Sequence, residues 1–174
     1  MGEKLLPLSI PELCAHALEL ERDAGMRFRE YAARMREIGS EHIADAFDEK
    51  VREQEEEVRA LEAASGGHPL AELSPWEYAW RLTYLPDAMD NQPRLVPRNA
   101  REALQFSALA KRRAESFYLD VAEHARDVVV RGCAAEMASA GHHQVELLER
   151  LLAGEIIEAQ FAAKSGSGDA SVSP

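Results

Sequence analysis

Apolar residues recur at alternating spacings of three and four along four long stretches of the chain, the period of one face of an α-helix. The first stretch opens at Ser9-Ile10-Pro11-Glu12, where Ser9 is placed to cap the helix and Glu12, three residues on, completes a capping box. It runs to about Ile38, and Gly39 stops it. The second begins with Ser40 as N-cap and ends at Ser65-Gly66-Gly67. The third opens at Asn99, again with a glutamate (Glu102) three residues later, and runs to about Ala125. Asp127 is placed to cap the fourth, which ends near Gly154, with a short further helix over 155–163.

The stretch 68–98 is different. Pro69, Pro75, Pro86, Pro93 and Pro97 lie in it together with both tryptophans, which excludes one continuous helix. Ser74-Pro75-Trp76-Glu77 has N-cap, N1 proline and capping-box glutamate in order, so one short helix is expected inside it. The resulting fold class is all-α: two antiparallel helical hairpins joined by a long crossover, making a four-helix bundle over 10–154. Residues 1–9 form an N-terminal extension, and the Gly/Ser-rich stretch 164–174 is expected to be a disordered tail.

On the inward faces the apolar pattern breaks once per helix. The first helix gives Cys14, Ala17, Glu21, Ala24, Phe28, Tyr31 and Met35; the second gives Phe47, Val51, Gln54, Val58 and Leu61, with Glu57 beside Gln54. The third gives Leu104, Ala108, Lys111, Ala114, Tyr118 and Val121; the fourth gives Val130, Cys133, Met137, Gly141, Gln144, Leu148 and Leu151. A buried charge without a partner is costly, so Glu21, Gln54, Glu57, Lys111 and Gln144 are expected to meet in one layer. The rest of the run Glu53-Gln54-Glu55-Glu56-Glu57 is a solvated helix face. His142 and His143 are adjacent and therefore point about 100° apart on a helix, which disfavours them as a ligand pair.

Charge narrows the partners. Lys and Arg number 20 against 31 Asp and Glu among 174 residues, a formal net charge of −11. Such a chain is repelled by phosphate backbones and anionic membrane surfaces, so no nucleic-acid or membrane role is expected. Two cysteines, Cys14 and Cys133, are too few for a disulfide scaffold and read as core thiols. The apolar stretch at the N-terminus is too short for a signal peptide, and the location expected is the cytoplasm.

Polar layers at the centre of four-helix bundles are where carboxylate-bridged metal pairs are built. Ala17-Leu18-Glu19-Leu20-Glu21-Arg22-Asp23-Ala24 followed by Phe28 resembles the first helix of ferritin-like, rubrerythrin-type di-iron proteins, in which a ligand Glu precedes Ala by three and an aromatic by seven. Lys111-Arg112-Arg113-Ala114 followed by Phe117-Tyr118 repeats that frame. The stretches from Phe47 to Leu61 and from Gln144 to Leu148 resemble the two segments that carry Glu-x-x-His. The resemblance covers residues 10–152 and implies a ferritin-like fold, a homodimer and an oxidoreductase ancestry.

Residue by residue, it places Glu21 on the first ligand position, Gln54 on a Glu position and Glu57 on a His position. Lys111 falls on the third-helix Glu, and Gly141 and Gln144 on the last Glu and His. A protonated amine donates and cannot coordinate a cation, so an intact di-iron centre is not expected. No Cys-x-x-Cys pair for a rubredoxin domain is present either.

The first reading is therefore a protein whose di-iron site is replaced by an internal Lys-Glu layer, with a non-catalytic binding or structural role. The alternative is a metal-dependent oxidoreductase, acting on oxygen, peroxide or Fe(II) through one iron or manganese ion held by Glu21, Gln54 and Glu57. Tyr31, Tyr118, His142 and His143 would be its second rank of residues. Iron storage by cage assembly has only the acidic helix faces in its favour. No physiological partner can be named from the residues.

Overall fold

The computed structural model describes residues 6–7, 9–64 and 96–166, with the backbone alone beyond Gly154. Four helices make up the described residues: α1 (Ile10–Glu37), α2 (Glu41–Ala64), α3 (Ala100–His124) and α4 (Val128–Gly166). The short crossover helix, the end of the second helix at Ser65-Gly66-Gly67 and the 167–174 part of the tail lie outside them.

Local chemistry sets the helix ends. Ser9 is extended, and its hydroxyl accepts from the Glu12 N–H at 3.4 Å. At the other end of α1, Gly39 adopts φ 79°, where an L side chain is strained. There the Gly39 N–H bonds the Arg36 carbonyl (3.1 Å) and the Ser40 N–H bonds the Met35 carbonyl (2.8 Å), a Schellman closure. The Ser40 carbonyl accepts from Ala44 at 3.0 Å, so the chain reverses at once into α2. Asn99 caps α3 through the Glu102 N–H (2.9 Å), and Asp127 caps α4 through the Val129 N–H (2.7 Å).

The fourth helix differs from expectation at its C-terminal end. It runs without interruption through Gly154 to Gly166, taking in the expected separate segment and the first residues of the expected tail. A glycine ends a helix by turning left-handed, and among the described residues only Gly39 does so. Gly154 in a right-handed conformation merely weakens the helix.

α1 packs along α2 and α3 along α4, and the two hairpins meet through α1. The apolar interior falls into two clusters. One holds Leu13, Ala17, Phe117, Tyr118, Val121 and Val130; the other holds Phe28, Met35, Phe47, Leu104, Ala108 and Leu148. Between them lies the level of Glu21, Gln54 and Lys111.

The inward face of α4 is rotated from the expected stripe. Val130, Ala134, Ala138, Val145 and Leu148 are buried, whereas Cys133, Met137, Gly141, Gln144 and Leu151 are only partly so. The buried set faces α3, and Met137, Gly141 and Gln144 look onto a cavity instead.

Glycine substitutions should discriminate these roles. Gly39→Ala should lower stability by about 1 kcal/mol because it forces a left-handed alanine. Gly132→Ala, where an added Cβ meets nothing within 4 Å, should raise it by about 0.5–1 kcal/mol through helix propensity. Urea midpoints of the two variants against the parent give both signs.

Candidate functional site

The polar residues predicted to interrupt the four stripes do converge. Lys111 is 5 % exposed, and its Nζ donates to Glu21 Oε2 at 2.8 Å and to Gln54 Oε1 at 2.7 Å. An ammonium has only donors, so it fixes which end of the Gln54 amide faces it. The Gln54 Nε2 is thereby turned to donate to Glu57 Oε2 at 3.2 Å. From α4, Gln144 Nε2 donates to the other oxygen, Glu57 Oε1, at 2.5 Å. One hydrogen-bonded chain thus links α1, α3, α2 and α4 in turn. Glu57 meets Lys111 through Gln54 rather than directly, because Gln54 stands between them.

Side-chain packing holds the chain in place. Lys111 Nζ lies 6.0 Å from the centre of the Phe28 ring, at the limit of cation–π reach. Phe28 stacks on Phe47 with ring centres 5.8 Å apart, and Tyr31 meets Phe47 edge-on at 5.7 Å. At Gly25, α1 faces the Gln54 level of α2 at ordinary packing distance, an added Cβ sitting 3.7 Å from the Gln54 Cβ.

The electrostatics are uneven. Burial and the neighbouring Glu21 carboxylate push the Glu57 carboxyl up to about 7, against the opposing pull of Lys111 and the Gln54 amide. Tyr118 is held well above the usual phenol range by burial and then by Glu21 and Glu57, so its hydroxyl stays protonated. Burial also raises Tyr31 and the Cys14 thiol.

Beside this network is a cavity of about 360 Å³ that reaches all four helices. Glu21, Glu57, Lys111, Tyr118, Gly141 and Gln144 line its polar side. The Gln144 Oε1 is buried and has no hydrogen-bond partner. Ala60 and Ala140, both exposed, mark the opening between α2 and α4.

Other candidates lie elsewhere. His142 is exposed and bonded to Glu115 at 2.9 Å, and His143 is exposed near Glu146 at 3.5 Å, so neither joins the layer. Tyr31 sits in the second apolar cluster, whereas Tyr118 belongs to the first and also lines the cavity. Sequence reasoning missed Lys50, which is 4 % exposed and paired with Glu53. The signal was present, because Lys50 lies three after Phe47 and four before Gln54 on one face of α2. It also missed the cavity, which no single helix pattern encodes.

These residues do not fit a di-iron centre. The Lys111 ammonium takes up one oxygen each of Glu21 and Gln54, and Gly141 offers no donor. Among the described residues no group of three or more His, Cys, Asp or Glu is placed to hold a metal ion. No described helix is long and apolar enough to cross a membrane.

Removing only the cation should be severe. Lys111→Met leaves the Glu21 carboxylate buried and uncompensated, so stability should fall by about 3–5 kcal/mol. Adding Glu21→Gln to that variant should restore most of the loss, which a double-mutant cycle in urea measures.

Glu57 adds a pH dependence. Its folded-state carboxyl titrates at about 7 against an ordinary 4.5, so between these values the folded state holds a proton that the unfolded chain has released. Its contribution is therefore fully present below about 4.5, declines as pH rises, and is lost above about 7. Glu57→Gln should match the parent near pH 4.5 and exceed it near pH 8, read as urea midpoints at each pH.

Neither a family model nor a curated protein matches the chain. Among solved structures, an uncharacterized conserved protein from Magnetospirillum magnetotacticum MS-1 is similar, with a TM-score of 0.69 and 23% identity over 84% of this chain and 95% of that one. At that identity the likeness speaks for the fold alone: the described residues form an all-helical four-helix bundle of ferritin-like fold.

Proposed function

We propose that this chain is a rubrerythrin-related bundle in which an internal ammonium takes the place of the di-iron centre, and that it acts as a non-catalytic binding protein. One observation carries the reading: Lys111 Nζ bonded to both Glu21 and Gln54 at the level between the two apolar clusters. Coordination needs lone pairs directed at the ion, and the ammonium has none to offer. The same ammonium neutralises one of the two nearby carboxyl groups, which is the electrostatic task metal ions perform in such layers.

A binding role rests on the space the layer leaves open. The cavity is within the range of about 300–1,000 Å³ usual for small-molecule sites. Its walls are mostly apolar, with a few converging polar groups on one side. No redox-active group among the described residues borders it other than Tyr118, whose phenol is held protonated.

Protein produced in iron-supplemented medium, free of metal-binding tags, should carry well under about one Fe, Mn or Zn per chain by elemental mass spectrometry. Anaerobic loading with Fe(II) should add none. Lys111→Glu, which restores a carboxylate, should raise Fe(II) uptake above the parent. Stoichiometric metal in the parent, lost in Glu21→Ala, would overturn this reading in favour of a metal ion held at the layer.

A further inference from the structure

We infer that the cavity beside the Lys111 layer is a binding site for a small organic amine, held as its ammonium with an apolar body. The inference rests on the reading in which Lys111, and not a metal, fills the layer. Two carboxyl groups line the cavity against one ammonium. Lys111 pairs with Glu21 at 2.8 Å, while Glu57 receives the neutral amides of Gln54 and Gln144 and is hydrogen-bonded to Glu21 through a shared proton. No cation among the described residues balances Glu57 once it ionises, and a second cation at the cavity's polar side takes the place of its proton.

The unmatched acceptor points the same way. Gln144 Nε2 faces Glu57, and with that carboxyl ionised the reverse orientation would set two oxygens against each other. Its Oε1 is then buried and unpaired, an acceptor awaiting a donor. A primary ammonium carries three N–H donors, enough to serve Glu57 and Gln144 together. An anion would meet two carboxyl groups here, and a neutral alcohol would leave the Glu57 charge uncompensated.

The remainder of the ligand is specified by the walls. Ala17, Leu61, Ala114 and Met137 are apolar and line the space beyond the polar groups. Ala60 and Ala140 stand at the opening and are small enough to admit a chain. An unbranched aliphatic amine therefore places its head at Glu57 and Gln144 and its tail toward the gap between α2 and α4.

Isothermal titration of the full-length, metal-free protein near neutral pH with hexylamine, hexanol and hexanoate tests this. Hexylamine should bind at least about tenfold tighter than hexanol, or about 1.4 kcal/mol, and hexanoate should not bind. Glu57→Gln should remove that preference, and Ala60→Trp, at the exposed opening, should weaken both ligands without changing the helical circular dichroism. Equal affinity for hexylamine and hexanol, or no hexylamine binding to folded parent protein, overturns the inference. So does undiminished hexylamine binding in Glu57→Gln. Elemental analysis of the same sample separates the failures: stoichiometric iron sinks the Lys111 reading and this inference with it, whereas metal-free protein that ignores hexylamine sinks this inference alone.

Discussion

A cation buried inside a helix bundle must be enclosed by acceptors, and the arrangement around Lys111 propagates from that requirement. Its Nζ bonds draw Glu21 from α1 and Gln54 from α2 to one point on α3. The amide of Gln54, with its oxygen committed, presents its nitrogen to Glu57, which also receives Gln144 from α4. α2 and α4 barely pack against each other, so the Gln144–Glu57 bond is a tie between the hairpins where side-chain packing is thin. The two apolar clusters end at this level, and neither continues through it.

An ammonium and a pair of metal ions solve the same problem with different demands on the protein. Metals need several anionic or imidazole donors and hold them rigidly. One ammonium needs only acceptors, and neutral amides suffice for part of the shell. That difference explains why Gln54 and Gln144 are compatible with the layer, since each offers, beside an acceptor, the N–H donor that a carboxylate lacks. It also explains the unevenness of the result. One positive charge satisfies Glu21 and leaves Glu57 in a dry, negatively biased setting, which is why its carboxyl holds a proton to about pH 7.

Much of this is legible in the residues. The three-four spacing, the capping pairs Ser9/Glu12 and Asn99/Glu102, and Gly39 locate the helices, because each acts over one or two turns. The meeting of Glu21, Gln54 and Lys111 is implied by the cost of burying each alone. The failures share a different cause. Gly154 reads as a stop by residue type, whereas a glycine caps a helix by turning left-handed, as Gly39 does and Gly154 does not. The face of α4 is displaced toward its small residues, Ala134 and Ala138 being buried and Cys133 and Met137 only partly so, a choice invisible within one helix. Lys50 escapes notice because a lysine beside acidic residues reads as surface, although its register matches Phe47 and Gln54.

The cavity is the part no single stretch of sequence encodes, and its composition argues that it is a property of the whole chain. Each helix contributes a small residue to it: Ala17 from α1, Ala60 from α2, Ala114 from α3 and Gly141 from α4. Leucine at any one of these positions would fill much of the space, and filling interior space ordinarily adds stability. Gly141 further weakens its own helix by about 0.8–1.0 kcal/mol relative to alanine, although a Cβ there would be no closer than 3.9 Å to Glu115 Cβ and so would fit. Local packing therefore gives no reason for glycine at this position. Four helices that each forgo bulk at one level leave a space bordered by an unpaired acceptor, Gln144 Oε1, and by a carboxyl that no cation among the described residues pairs directly.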